Sequence, residues 1–314
     1  MFPVASLVIF GLQLLPASAK SPFDLKFKNL VAFGDSYTDI SVASYPLWPI
    51  WAADYAKLDK TLVLAKAGAT CDQTLTPRVW PAVVQDEIPT YLNATNNGKS
   101  LKAEETLYTL WIGTNDLGVG ELITGQANPG VTVVDTTTCA VNWVDRLYKT
   151  GARNFLFQNM IPLDKVPLYQ ADSYPNRYWT EPRNTTAWNV QMKELVASGN
   201  ALSDLLLANV ATSLPHASIC RFDSHGLFTD ILAHPNLYLN GTVAQNTTGA
   251  SNACVFQLNE STNDSGDCTV VTGSAADSYI WFDELHPTVQ GQRIVAREIV
   301  KAVQGTSNRW LKCF

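Results

Sequence analysis

Val31-Ala32-Phe33-Gly34-Asp35-Ser36-Tyr37-Thr38-Asp39 reads as a buried strand running into a polar turn, with a serine just past the strand's end. Open α/β folds bind their ligands outside the carboxyl ends of the strands, so a serine there stands where chemistry is done. A serine hydroxyl is a weak nucleophile until a base, an orienting carboxylate and oxyanion donors are supplied elsewhere. Gly-Asp-Ser by itself also reads as an ordinary strand-exit turn, because Gly and Asp provide the backbone freedom and local hydrogen bonds that turns use. The rest of the chain has to decide.

Outward from that stretch, short apolar runs recur at 61–66, 107–112, 154–158 and 217–222. Between them, apolar residues fall at helical spacing over 46–58, over 83–92 less regularly, over 141–150 and from Trp188 to about position 209. Val295, Ile299, Ala302 and Val303 form the stripe of a final helix. Strands alternating with helices predict βαβ units, and strands without polar alternation predict burial on both faces. The expected fold class is therefore α/β, a three-layer α/β/α sandwich around a mostly parallel central sheet. Segments 161–186, rich in Pro, Tyr and Trp, and 235–278, rich in Asn, Ser, Thr and Gly, read as long loops of the kind that are either functional or disordered. With no repeat, linker or composition break, residues 20–314 read as one domain.

The chain has 314 residues, 46% of them hydrophobic and 16% charged, enough apolar material for a substantial core. A net charge of -6 without any basic stripe excludes a nucleic-acid surface. Residues 1–19 have the form of a signal peptide: Leu7-Val8-Ile9-Phe10 opens an apolar centre, and Ala17-Ser18-Ala19 is a small-x-small cleavage site. That run is too short to span a bilayer. The expected mature protein begins near Lys20, is secreted and makes no stable membrane insertion. Secretion predicts that Cys71, Cys139, Cys220, Cys254, Cys268 and Cys313 are oxidised, and their spacing fits no zinc pattern. Sequence does not choose among the connectivities, although Cys254 and Cys268 flank a polar loop and are the expected pair. Sequons begin at Asn93, Asn184, Asn240, Asn246, Asn259 and Asn263, predicting N-linked glycans at some of them.

The base that Ser36 needs is a histidine, and the chain has four: His216, His225, His234 and His286. His286 lies in Trp281-Phe282-Asp283-Glu284-Leu285-His286-Pro287-Thr288, just before the final helix. Asp283, three residues earlier, is placed to hold Nδ1–H and leave Nε2 for the Ser36 proton. Asp283 as a turn cap and His286 as a surface histidine remain open at this point. His225 is the rival, two residues after Asp223. For the oxyanion, Gly68 follows the second strand, where a missing side chain lets a backbone N–H approach closely. Asn115 follows the third strand, and its amide would join the N–H groups of Gly68 and Ser36. Each also has a plain reading as a turn residue.

Together, Gly34-Asp35-Ser36, Gly68, Gly113-Thr114-Asn115-Asp116 and Asp283-Glu284-Leu285-His286 resemble, in this order, the blocks of the SGNH hydrolases, also called GDSL esterases. The resemblance runs from Phe33 to the final helix. It implies a flavodoxin-like sheet, a Ser36–His286–Asp283 triad, an oxyanion hole from Ser36, Gly68 and Asn115, and neither cofactor nor metal. The α/β-hydrolase elbow Gly-x-Ser-x-Gly would need glycine at position 38, which is Thr38. Phe33 to Asp39, Trp111 to Gly118 and Asn159-Met160-Ile161-Pro162-Leu163 also look like secreted fungal acetylesterases of carbohydrate esterase family 16. That likeness implies removal of acetyl groups from hemicellulose oligosaccharides.

Three other readings share these residues: a short-chain lipolytic esterase or phospholipase, a non-catalytic carbohydrate-binding glycoprotein, and an acetyl transferase between sugars. Tyr169, Tyr174, Tyr178 and Trp179 either stack on sugar rings or pack their own loop. Trp48, Trp51 and Trp111 are expected in the core.

Overall fold

The computed structural model describes residue 23 and residues 27–41, 44–263 and 267–314. The expected signal segment lies outside the described residues. In chain order the elements are β1 (Asn29–Gly34), α1 (Trp48–Ala56), β2 (Lys60–Val63), α2 (Ile88–Ala94), β3 (Thr106–Trp111) and α3 (Thr114–Leu117). There follow α4 (Val133–Tyr148), β4 (Asn154–Gln158), α5 (Thr185–Ser213), β5 (Ser218–Phe222) and α6 (Ser224–Ala233). The last third contains β6 (Asn246–Ala250), β7 (Asn252–Val255), β8 (Asp267–Val270), β9 (Tyr279–Trp281), α7 (Val289–Val303) and β10 (Leu311–Cys313).

The main sheet has the order β10-β5-β4-β3-β1-β2. All its pairs are parallel except β10 with β5 at one edge. Alternate strand residues point to opposite faces. Leu30 and Ala32 of β1 thus join one apolar layer with α1, α6 and α7. Val31 and Phe33 join the other, with α2, α4 and Leu207 of α5. The result is the expected α/β/α sandwich. The chain leaves β1 toward β2 on one side and β3 on the other, so the crevice between their carboxyl ends is the topological switch point of the sheet.

Three expectations need correction. The fourth helix starts at Val133, well before position 141. Thr132 and Asp135 form a capping box there, with Thr132 N–H donating to Asp135 Oδ2 at 2.8 Å. The stretch Val133 to Thr138, β-branched at every position but Asp135, has weak helix propensity, and the cap and packing on α5 override it. Segment 235–278 is more than a loop: β6 pairs with β9, and β7 pairs with β8 across the Cys254–Cys268 disulfide. Region 83–92 is irregular for a reason, since a π-turn over Val83–Glu87 precedes α2. Trp48 and Trp111 are core residues, while Trp51 is half-buried under Arg293. The other disulfides are Cys71–Cys139 and Cys220–Cys313. Among the described residues no helix is long and apolar enough to cross a membrane.

Gly34 ends β1 with φ +142°, and a Cβ there would lie 2.2 Å from the Trp111 carbonyl oxygen. Only glycine lets the two strand ends approach so closely. Gly34→Ala is expected to cost more than about 2 kcal/mol through strain and backbone displacement. Urea unfolding of both proteins would reveal this as a lowered midpoint with an unchanged slope.

Candidate active site

The polar turn after β1 is held by its own residues. Asp35 Oδ1 accepts from Tyr37 N–H, and the Asp35 carbonyl accepts from the N–H groups of Thr38 and Asp39. Burial pushes the Asp35 carboxyl up to about 7, against the pull of that Tyr37 bond. Ser36 stands half-exposed on this turn, and its Oγ is 2.7 Å from His286 Nε2. His286 Nδ1 lies 3.0 and 3.1 Å from the two oxygens of Asp283. With Nδ1 protonated toward that carboxylate, Nε2 presents its lone pair to the serine.

Asp283 is buried, which would favour its neutral form. The His286 charge and hydrogen bond, and the N–H groups of Leu285 and His286 at 2.9 and 2.8 Å, outweigh that and hold it far below the usual carboxylate range. Burial likewise disfavours the imidazolium, yet the Asp283 charge and hydrogen bond raise His286 above its ordinary value. The dyad is thus preorganised to accept a proton.

Gly68 and Asn115 meet Ser36 and His286 along one cavity of about 500 Å³. Gly68 has φ +79°, and a Cβ on it would fall 2.0 Å from Trp80 Cδ1, because the indole lies over the glycine. Asn115 sits in the first turn of α3; its Nδ2 donates to the Ala69 carbonyl at 2.8 Å, and its Oδ1 accepts from Arg78 Nη1 at 2.7 Å. One Nδ2 hydrogen is left over for the cavity. Among the described residues neither the Ser36 N–H nor the Gly68 N–H has a protein acceptor. The four residues picked out at strand ends and before the last helix are therefore assembled in one place, in an arrangement capable of acyl transfer to serine. Among the described residues no cluster of His, Cys, Asp and Glu has the makings of a metal site.

The sequence profile of the GDSL-like lipases/acylhydrolases matches residues 30–299. This chain belongs to that family. It is a carboxylic ester hydrolase. Similar proteins include an acetylesterase of Hypocrea jecorina, 27% identical with 90% of each chain covered. Another is an acetylesterase of Thermothelomyces thermophilus, 22% identical over the same shares. An acetylxylan esterase structure from Geobacillus stearothermophilus is 12% identical, with 88% of this chain and 94% of that one covered and a TM-score of 0.43.

In this GDSL hydrolase the other histidines lie apart from Ser36. The rival pair fails because Asp223 caps α6 through Gly226 N–H, accepts from Asn159 and pairs with Arg221. His234 pairs with Asp230. Of the loop aromatics, Tyr174 and Trp179 pack their own loop, while Tyr169 and Tyr178 also line the cavity. Tyr169 is buried and accepts from Val119 N–H, Tyr174 donates to Glu284, and Trp179 packs on Trp188.

Tyr178 does something that sequence reasoning missed. Its hydroxyl donates to Asp283 Oδ2 at 2.7 Å and lies 2.9 Å from His286 Nδ1. Burial and then the Asp283 charge push it well above the usual phenol range, so it remains a donor. Wholly buried Glu284 was missed too. It accepts from Arg177, Tyr174 and the Cys254 N–H, which ties loop 161–186 and the β7–β8 hairpin to the histidine segment. Arg78 and Trp80 also went unnoticed. Their one local signal is the proline bracket Pro77-Arg78-Val79-Trp80-Pro81, which keeps them in a loop.

In an NMR titration, the His286 ring is expected to titrate above free histidine, and Asp283→Asn to bring that midpoint down. An unchanged midpoint in the variant would remove Asp283 as the cause.

Proposed function

We propose that this hydrolase is a secreted acetylesterase acting on acetylated hemicellulose oligosaccharides through an acetyl-serine intermediate. The observation that carries the reading is the continuous line from Ser36 Oγ through His286 to Asp283, at 2.7 and 3.0 Å, open to the cavity. Acetyl as the transferred group is supported by the names of both fungal relatives. A sugar as the leaving group is supported by Trp80, which lines the cavity and is 52% exposed. The C–H face of a pyranose ring covers such a surface well.

In this mechanism His286 Nε2 removes the Ser36 proton as Oγ attacks the acetyl carbonyl. The N–H groups of Ser36 and Gly68 and the Asn115 amide receive the oxyanion. The tetrahedral intermediate collapses, the C–O bond to the sugar breaks, and the leaving oxygen takes its proton from His286. Water then attacks the acetyl-serine with His286 again as base, releasing acetate and restoring Ser36. Residues 20–314 act as one catalytic domain. Secretion agrees with three disulfides and with the exposure of Asn93, Asn184, Asn240, Asn259 and Asn263, five of the six sequon asparagines.

The test is acetate release from acetylated xylo-oligosaccharides, run beside aryl esters of increasing acyl length. Wild type is expected to release acetate and to slow as the acyl chain lengthens, and Ser36→Ala to lose at least about 10³-fold. A preference for long acyl chains would point instead to lipolysis, and binding without turnover of any ester would sink the esterase reading. Because the base works only when neutral and His286 is raised, kcat/KM is expected to rise with pH through a midpoint above that of free histidine. Asp283→Asn should lower both that midpoint and the rate. Trp80→Ala is expected to raise KM about tenfold for the oligosaccharide, the loss from uncovering roughly 50 Å² of apolar contact. Its KM for 4-nitrophenyl acetate should hardly change; an equal rise for both would remove the sugar contact.

A further inference from the structure

Arg78 has no place in the triad, yet its guanidinium reaches into the same cavity wall. Nη1 donates to Asn115 Oδ1 at 2.7 Å and approaches the Gly68 carbonyl at 3.4 Å, while Nη2 donates to the Val119 carbonyl at 2.8 Å. Behind it, Nε is 3.7 Å from Glu121, a carboxylate with no exposure and, among the described residues, no hydrogen-bond partner for either oxygen. One planar cation thus spans the loop after β2, the first turn of α3 and the segment that follows it.

We propose that Arg78 is a positioning residue that holds the oxyanion hole by locking the Asn115 amide. The proposal rests on the reading that this amide receives the oxyanion. An asparagine amide has two faces related by a flip, and only one offers the cavity a donor. In the observed state Oδ1 meets the guanidinium and Nδ2 meets the Ala69 carbonyl. Flipping would set donor against donor at Arg78 and oxygen against oxygen at Ala69. It would also aim a carbonyl at the developing negative charge. The Ala69 contact alone is a neutral hydrogen bond, whereas the Arg78 contact is charge-assisted and roughly twice as strong. The same nitrogen touches the residue whose N–H is the second donor, so the spacing of the two donors depends on one side chain. Lysine cannot replace it, since a point charge lacks the fork that meets three carbonyl oxygens at once.

The experiment is a double-mutant cycle on 4-nitrophenyl acetate, a small ester whose turnover does not require the sugar reading to hold. Asn115→Ala is expected to lower kcat about 10²- to 10³-fold, as for loss of one oxyanion donor. Arg78→Met is expected to lower kcat about 10- to 100-fold with KM within about threefold, the pattern of an interaction made in the transition state. In the Asn115→Ala background the same Arg78→Met change should cost less than about threefold, because the residue it positions is gone. Arg78→Lys, which keeps a cation beside Glu121 should the methionine variant not fold, is expected to recover only a minor part of kcat. Losses that multiply in the double variant, a rise in KM alone, or full activity in Arg78→Lys would each overturn the proposal. Full activity in Asn115→Ala would overturn the oxyanion reading and the proposal with it. A large loss in Asn115→Ala beside none in Arg78→Met would overturn the proposal alone.

Discussion

The hydrogen bond from Tyr37 Oη to the Leu285 carbonyl, 2.9 Å long, joins two segments that the chain separates by 248 positions. Ser36 and His286 are immediate neighbours of those residues, and neither has any local reason to meet the other. The bond is one of several across the same seam. Trp48 N–H donates to Gln292 Oε1 and Tyr45 Oη donates to the Pro287 carbonyl, while Trp48 Nε1 ties α1 to the serine turn through Thr38 Oγ1. Beneath them α1 packs on α7 over a shared apolar layer. Burial brings the two helices together without direction, and the buried hydrogen bonds set their register, since an unpaired donor or acceptor there costs about 1–3 kcal/mol. The 2.7 Å contact between serine and histidine is a consequence of that register.

A second regularity runs around the rim. The loops that carry the site are hung on buried carboxylates that accept backbone N–H groups. Glu87 takes Gly34, Asp39 takes Ala67, Asp116 takes Cys71, Glu284 takes Cys254, and Asp283 takes Leu285 and His286. A carboxylate reaches several donors of an irregular loop where no strand or helix is present to satisfy them. Burial of these acids is costly and raises Glu87 well above, and Asp116 to about 6 from, the usual carboxylate range. Asp283 faces the His286 imidazole, and it is held low. The same physical device thus serves loop architecture in all five cases, and at Asp283 it also places a carboxylate against the His286 ring.

The disulfides act on the same loops. Cys71–Cys139 ties the loop after β2, which carries Arg78 and Trp80, to α4. Cys254–Cys268 closes the hairpin that Glu284 holds against the histidine segment. Cross-links of this kind restrict the unfolded chain and keep long connections from wandering in the folded one.

The amino-acid sequence by itself determined the alternation of strands and helices, the layered α/β/α class, and four blocks at strand ends that belong together. These features rest on short-range physics. Apolar periodicity, strand-end turns and an Asp three residues before a His act within a few positions of one another. Cys254–Cys268 was legible for the same reason, being a short closure around a polar loop. The start of α4 was not, because weakly helical Val133 and Val134 are held by a cap and by contact with α5. The contacts made by Tyr178, Glu284 and Arg78 were not legible either. Their contacts reach partners up to 110 positions away, and a tyrosine or arginine in a polar loop looks the same whether it holds the carboxylate beside His286 or only its own turn. Tertiary structure decided those contacts, because a hydrogen bond is specified by distance and angle at both ends and sequence supplies only one end at a time.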